Sequence, residues 1–245
     1  MQQWTETMDE QVVAKTFVEL ADNLDAAFDP LAFLRLLTDR CVGVLGANAA
    51  GVLLADRSGE LRLMAASDER VRLLELLEVQ QSEGPCLDCF RRGAAVSVPD
   101  VMAEARRWPR FAPQARHRGV AAVQALPMRC RNETVGTLNL FCADARLIGP
   151  VGSPIAQAMA DVAAISLVQR RSAQRSAQLN EQLQTALDSR IVIEQAKGKL
   201  AERYAIDMER AFNLLRRYAR SNNLRLSDVA RDVIEGCASL PAPGE

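Results

Sequence analysis

The sequence predicts an α+β domain, an antiparallel sheet flanked by helices, followed by a long coiled-coil helix and an all-α bundle of three short helices. Three observations carry that prediction. Between Ala49 and Phe141, apolar residues follow a strand period in several stretches interleaved with helical ones. From Pro154 the period becomes a heptad seam, Ile155, Met159, Val162, Ser166, Gln169, Ala173, Ser176, Asn180, Leu183 and Leu187, at alternating spacings of 4 and 3. After Ser189 the apolar residues fall into three short helical stripes separated by turn signals. The expected organisation is a domain over 1–153, a pairing helix over 154–188, a bundle over 189–238 and a disordered tail over 239–245.

Taken in order, Gln11 to Leu24 reads as a helix with Val12, Phe17, Leu20 and Leu24 apolar, and Asp29-Pro30 starts a second over Leu31 to Leu45. Ala49 to Ala55 and Leu61 to Ala66 form a hairpin about Asp56 to Gly59. Arg70 to Gln80 returns to helix, Val96 to Val98 is a short strand, and Val101 to Arg107 a short helix. Arg106 to Arg110, with Trp108, Pro109 and then Pro113, reads as a basic loop covering a pocket. Ala121 to Arg129 and Glu133 to Phe141 make a second hairpin about Arg131-Asn132. The middle of the heptad seam is polar, so two helices would pair weakly there while polar positions set their register.

The bundle shows its stripes plainly. Ile193, Ala196, Leu200 and Tyr204 mark one helix; Met208, Ala211, Phe212, Leu215 and Ala219 mark a second that Asp207 caps and Ser221-Asn222-Asn223 ends. A third, capped by Ser227, carries Val229, Ala230, Val233 and Ile234.

Charge is divided unevenly. From Arg190 to Arg231 there are ten basic residues and five acidic ones, about +5, so a chain of net charge -1 carries about -6 elsewhere. A basic module attached to an acidic remainder is an electrostatic footprint of nucleic-acid binding, although a solvated helical surface gives the same count. At about 100° per residue, Gly198 lies opposite the first stripe, flanked by Arg190, Lys197 and Ala201. An exposed mid-helix glycine costs about 1 kcal/mol relative to alanine, which suggests that something approaches the backbone there. On the second helix Asn213, Arg217 and Arg220 turn outward, with Arg216 beside the stripe. Guanidinium groups suit phosphates and unpaired bases.

Those residues resemble a known family. IEQAKGKL, AFNLLRRYAR and LRLSDVARDVI, covering nearly all of Ser189 to Ile234, are similar to an ANTAR domain, the three-helix RNA-binding output module of bacterial transcription antiterminators. The resemblance places RNA-facing positions on Lys197 and Gly198 of AKG and on Arg216 of LR. Ala201 stands where the family usually has methionine, a packing change that leaves RNA contact intact. With the outward residues, the candidate RNA-binding set is Arg190, Lys197, Gly198, Ala201, Arg216, Arg217 and Arg220. Upstream, GPCLDCFRRGAAVSVPDV and ALPMRCRNETVGTLNLF resemble a GAF domain over roughly 28–161, which implies a sensory domain with a small-molecule pocket between sheet and helices, often dimeric. The joint implication is a homodimer that holds two adjacent stem-loops of a nascent transcript and prevents terminator formation.

Other classes fare less well. No nucleophile elbow, phosphate loop or histidine–acid cluster is present, so an enzyme is not expected. Cys86 and Cys89 form a CxxC pair that can be a disulfide, half a zinc site or two small residues facing a helix core, and the second CxxC that a structural zinc would want is missing. His117 is the only histidine, which excludes a His-rich metal site or a haem held by histidine on both faces, and no supporting motif makes it a lone ligand or base. No metal and no cofactor are expected, and residues binding any GAF ligand are unknown. MQQWTETMDE is polar, no apolar run approaches 18 residues, and a cytoplasmic location with no membrane partner is expected. The competing nucleic-acid reading is a DNA-binding helix-turn-helix, whose recognition helix over 227–236 would carry Asp228, Asp232 and Glu235 against Arg231. That is a poor surface for a phosphate-lined groove.

Overall fold

The structure is a computed structural model and describes residues 10–21, 29–131, 133–145, 147–150, 152–237 and 240. Leu24, the Asn132 turn residue and most of the expected tail lie outside the described residues. The chain divides into two compact units, Met1–Arg171 and Ser172–Glu245.

The first unit is built on five antiparallel strands in the order β2-β1-β5-β4-β3. They are β1 (Ala49–Ala55), β2 (Leu61–Ala66), β3 (Val96–Val98), β4 (Ala122–Cys130) and β5 (Glu133–Cys142). Strand alternation sorts their side chains onto two faces. Ala50, Val52, Leu126, Met128, Leu138 and Leu140 meet α1 (Glu10–Ala21), α2 (Pro30–Leu45) and the start of α6 (Gly152–Tyr204). Ala49, Val123, Ala125 and Phe141 meet α3 (Glu69–Gln81), α4 (Pro85–Arg92) and α5 (Phe111–His117).

Caps fix the helix starts. Asp29 accepts a 2.9 Å bond from the Leu31 N–H with Pro30 in the first turn, and Asp68 accepts one of 2.9 Å from the Val71 N–H. Two helices were not foreseen. α4 starts at Pro85 after Gly84 at φ 139° and ends at Gly93 at φ 61°, so its stop signals are those of a helix eight residues long. α5 tolerates Pro113 because a first-turn residue has no intrahelical partner for its N–H. The helix expected over Val101 to Arg107 is instead a run of tight turns, in which Ala103, Glu104 and Ala105 donate to carbonyls three residues back. The basic loop is not a cover either: Trp108 is 2% exposed and packs edge-on against Phe111, while Arg107 bonds Asp88 at 2.5 Å and lies over the indole.

α6 is continuous for 53 residues, about 80 Å of helix. Its character changes along its length. Ala156, Met159, Ala160, Ala163, Ala164 and Leu167 are buried against the sheet of the first unit, with Ile155 and Val162 partly buried there, so the N-terminal third of the expected seam faces its own domain. Every residue from 171 to 188 is exposed, and Leu179, Leu183, Leu187 and Ile191 each expose more than half of their surface.

The second unit is the end of α6 with α7 (Met208–Ser221) and α8 (Leu226–Glu235), packed through Ala196, Leu200, Ala211, Leu214, Leu215, Ala219, Val229, Ala230 and Val233. Asp207 caps α7 by accepting from the Arg210 N–H at 2.7 Å, as expected. α8, by contrast, is capped by Arg225 without a side-chain bond, and Ser227 sits one residue inside the helix. Tyr204 donates its hydroxyl to the Leu240 carbonyl at 2.7 Å, and Leu240 is buried against the bundle.

Candidate nucleic-acid interface

Three arginines on one side of α7 form the densest unpaired charge in the second unit. Arg216, Arg217 and Arg220 are exposed and line an open groove with Asn213 and Ser221. Among the described residues none of the three is in an ion pair, unlike Arg210, which pairs with Asp207. Free guanidinium groups converging on one groove can take phosphate oxygens in bidentate fashion.

The α6 side is built differently. Arg190, Glu194, Lys197 and Ala201 follow one another at helical spacing, so they share a stripe. Arg190 is exposed, but Lys197 is held: its side chain is 16% exposed, and Nζ donates to both Glu194 oxygens at 2.8 Å. Gly198 has open space where a Cβ would stand, so its backbone is approachable. Ala201 is half-buried and packs partly on the bundle core, as a small residue in the methionine position should. Lys199 is exposed but engaged; its Nζ donates at 2.6 Å to the Ile234 carbonyl near the end of α8, where a cation meets the negative end of the helix.

One residue joins the two stripes. Lys197 Nζ lies 5.7 Å from the centroid of the Phe212 ring, and Phe212 is four residues before Arg216, hence beside it on α7. The sequence reading put Phe212 in the buried stripe. The structure leaves it half-buried and outside the apolar cluster. Lys197, Phe212, Arg216 and Arg220 therefore form a continuous surface of cation, aromatic ring and cations. The spacing of AF-x-x-LR carried that signal, since an aromatic one turn before a free arginine is a stacking arrangement. On α8 the exposed residues are Asp228, Arg231, Asp232 and Glu235, a mainly acidic face.

The rest of the chain carries the other candidates apart from this surface. Cys86 and Cys89 are fully buried free thiols on α4, burial pushes both thiols up, and among the described residues no group of three or more His, Cys, Asp or Glu could hold a metal ion. His117 is exposed on α5. No described helix is long and apolar enough to cross a membrane.

Residues 29–160 match the GAF domain family and residues 181–234 match the ANTAR domain. The chain is a GAF–ANTAR protein. The GAF domain of a phosphoenolpyruvate-protein phosphotransferase from Coxiella burnetii is similar in fold, with a TM-score of 0.52 at 17% identity over 68% of this chain and 99% of that one. So is the free methionine-R-sulfoxide reductase of Neisseria meningitidis in complex with its substrate, with a TM-score of 0.51 at 14% identity over 71% and 98%. At these identities the likeness shows the GAF fold alone. None of the curated proteins matches the chain. A GAF sensor joined to an ANTAR domain makes this an RNA-binding regulator by family, and both domains are regulatory rather than catalytic.

Proposed function

We propose that this GAF–ANTAR protein is a cytoplasmic antiterminator that works as a homodimer. Two copies pair along α6 where Leu179, Leu183, Leu187 and Ile191 are exposed, and the two ANTAR domains hold two adjacent stem-loops of one nascent transcript. Holding both loops keeps the overlapping terminator from forming, and a small-molecule signal at the GAF domain alters the availability of the two ANTAR surfaces. The observation that carries the reading is the surface of Lys197, Phe212, Arg216 and Arg220, free arginines beside a half-exposed ring. Such a surface fits an RNA loop, whose splayed bases stack while its phosphates meet arginine.

Arg190, Arg217 and the Gly198 backbone frame the same site, with Ala201 giving close approach. Lys197 contributes by leaving Glu194 for a phosphate, so its effect is smaller than that of an unpaired cation. The test is binding of the full-length protein to RNA with two adjacent stem-loops, against single-loop RNA and duplex DNA at near-physiological salt. Preference for the double hairpin, weakened in Arg216→Ala and to a lesser degree in Lys197→Ala, supports the reading. Equal or tighter binding of duplex DNA overturns it in favour of a helix-turn-helix regulator.

A further inference from the structure

The helical layer formed by α3 and α4 on the sheet of the GAF domain covers a polar cluster sealed from solvent. Glu75 and Glu78, one turn apart on α3, are both fully buried, as are Thr137 and Asn139, two residues apart on β5. Glu75 Oε1 accepts from Asn139 Nδ2 at 2.7 Å, and Glu78 Oε1 accepts from the Cys86 N–H at 3.1 Å in the first turn of α4. Four further oxygens in this layer, Glu75 Oε2, Glu78 Oε2, Asn139 Oδ1 and Thr137 Oγ1, have no hydrogen-bond partner in the protein. Protein interiors pair nearly all such atoms, and each one left alone costs about 1–3 kcal/mol. The backbone is shaped to the carboxylates as well. A Cβ on Gly51 would collide with both Glu75 oxygens, and one on Gly84 with Glu78 Oε1.

The chemistry of these atoms selects a ligand class. Two carboxyl groups, an amide oxygen and a hydroxyl offer acceptors to a group with several N–H donors, and a carboxyl that gives up its proton adds a charge that favours a cation over an anion. A hard divalent ion is short of ligands here, since among the described residues no group of three His, Cys, Asp or Glu could hold one. Next to the cluster, Leu61, Leu63, Leu76, Val79, Leu87 and Phe90 form the apolar wall of an open groove of about 610 Å³, whose rim carries Glu60, Arg62, Ser82 and Arg91. Leu61 also packs with Leu53 and Cys86, which joins the groove wall to the residue that bonds Glu78.

We propose that this cluster is the recognition end of the GAF domain's ligand site and takes a primary ammonium group on a short apolar body. The ammonium donates to Glu75, Glu78 and Asn139, and the body lies among the groove's leucines and Val79. The inference rests on reading the GAF domain as a sensor. It also fixes the proton balance. Burial pushes both carboxyls up, Glu78 to about 8, so at neutral pH the carboxyl that meets the ammonium first gives its proton to the buffer. Cation uptake and proton release are then coupled.

The experiment is calorimetric titration of the full-length protein with hexylammonium chloride in two buffers of different ionisation enthalpy, with hexanol and hexanoate as matched controls. The expected result is saturable binding of hexylammonium with proton release, no saturable binding of either control, and affinity about tenfold weaker in Glu75→Gln and in Glu78→Gln. Circular dichroism of the two variants confirms that they fold, and the controls on the unaltered protein decide the case if they do not. Hexanol binding as well as hexylammonium, or no saturable hexylammonium binding, overturns the proposal. RNA affinity measured in parallel separates the outcomes: binding of hexylammonium without any change in RNA affinity leaves the site standing and refutes the sensor coupling.

Discussion

Glu78→Gln should remove a pH-dependent share of GAF-domain stability in a way no surface substitution can. Glu78 is fully buried, and desolvation pushes its carboxyl from an ordinary 4.5 to about 8, with the Cys86 bond opposing and the negative charge of Asp88 adding to the rise. The folded state therefore holds a proton that the unfolded state gives up once the pH passes 4.5. Its contribution is fully present below that point and is lost as pH rises towards 8, at a slope of about 1.4 kcal/mol per pH unit. Between pH 5 and pH 7.5 the loss amounts to about 3 kcal/mol for this one group. Glutamine keeps the acceptor for the Cys86 N–H and does not titrate, so the variant should gain on the unaltered protein by about that amount over the interval. Glu75, whose carboxyl burial also pushes up, is present in both proteins, and the substitution removes only the smaller part of that rise due to the Glu78 charge. The assay is urea unfolding from pH 5 to pH 8 followed by the fluorescence of buried Trp108 in a Trp4→Phe background. Parallel curves for the two proteins would refute the reasoning, because they would mean that Glu78 changes its charge no differently in the folded and unfolded states.

On the ANTAR domain, Phe212→Ala should weaken binding of stem-loop RNA by about 1–3 kcal/mol while leaving the bundle's melting nearly unchanged, since the ring lies outside the apolar cluster; fluorescence anisotropy with parallel thermal melts checks both. Gly198→Leu adds about 0.5–1 kcal/mol of helix propensity, and its Cβ would have open space, so a more stable bundle that no longer binds RNA is the expected pair of results. Lys199→Ala should do the opposite, destabilising by about 1 kcal/mol through the lost Ile234 carbonyl bond with RNA affinity intact.

How much of this was legible in the sequence depended on whether a pattern was local. The strands, the Asp29 and Asp207 caps and the bundle stripes, apart from Met208 and Phe212 on the second, are short-range signals, and they reappear in the structure. α4 was missed because its Gly84-Pro85 start and Gly93 stop enclose eight residues, less than the window in which helical periodicity stands out. Trp108 was misplaced because prolines and arginines around it mark a surface loop, whereas a tight turn can bury one residue among exposed neighbours. Among the RNA-facing candidates, helical counting found the outward arginines. It could not find that Lys197 is tied to Glu194, or that Phe212 escapes the core, because both depend on how α6 and α7 pack. Glu75 and Glu78 were the least visible of all: carboxylates on a helix read as solvated until a sheet is known to cover them.

The division of α6 has a consequence for how dimerisation and RNA binding should depend on each other. The seam as read from sequence ran from Ile155, but its first apolar residues belong to the GAF core, and residues 171–188 include the polar run around Ala173 and Ser176. In the proposed dimer, what is left for pairing is the stretch from Leu179 to Ile191, about two heptads, too short for a tight coiled coil on its own. A weak dimer with two RNA surfaces is one that RNA itself can complete, because two loops on one transcript raise the effective concentration of the second protomer. Linkage then makes the effect reciprocal, so whatever tightens the dimer also tightens double-hairpin binding. Sedimentation of the full-length protein should show dimerisation strengthened by double-hairpin RNA and unaffected by single-loop RNA, with Leu183→Lys abolishing the dimer and lowering double-hairpin affinity to the single-loop value. A dimer equally stable with and without double-hairpin RNA would show that one transcript does not hold both protomers, and would remove the basis for this coupling.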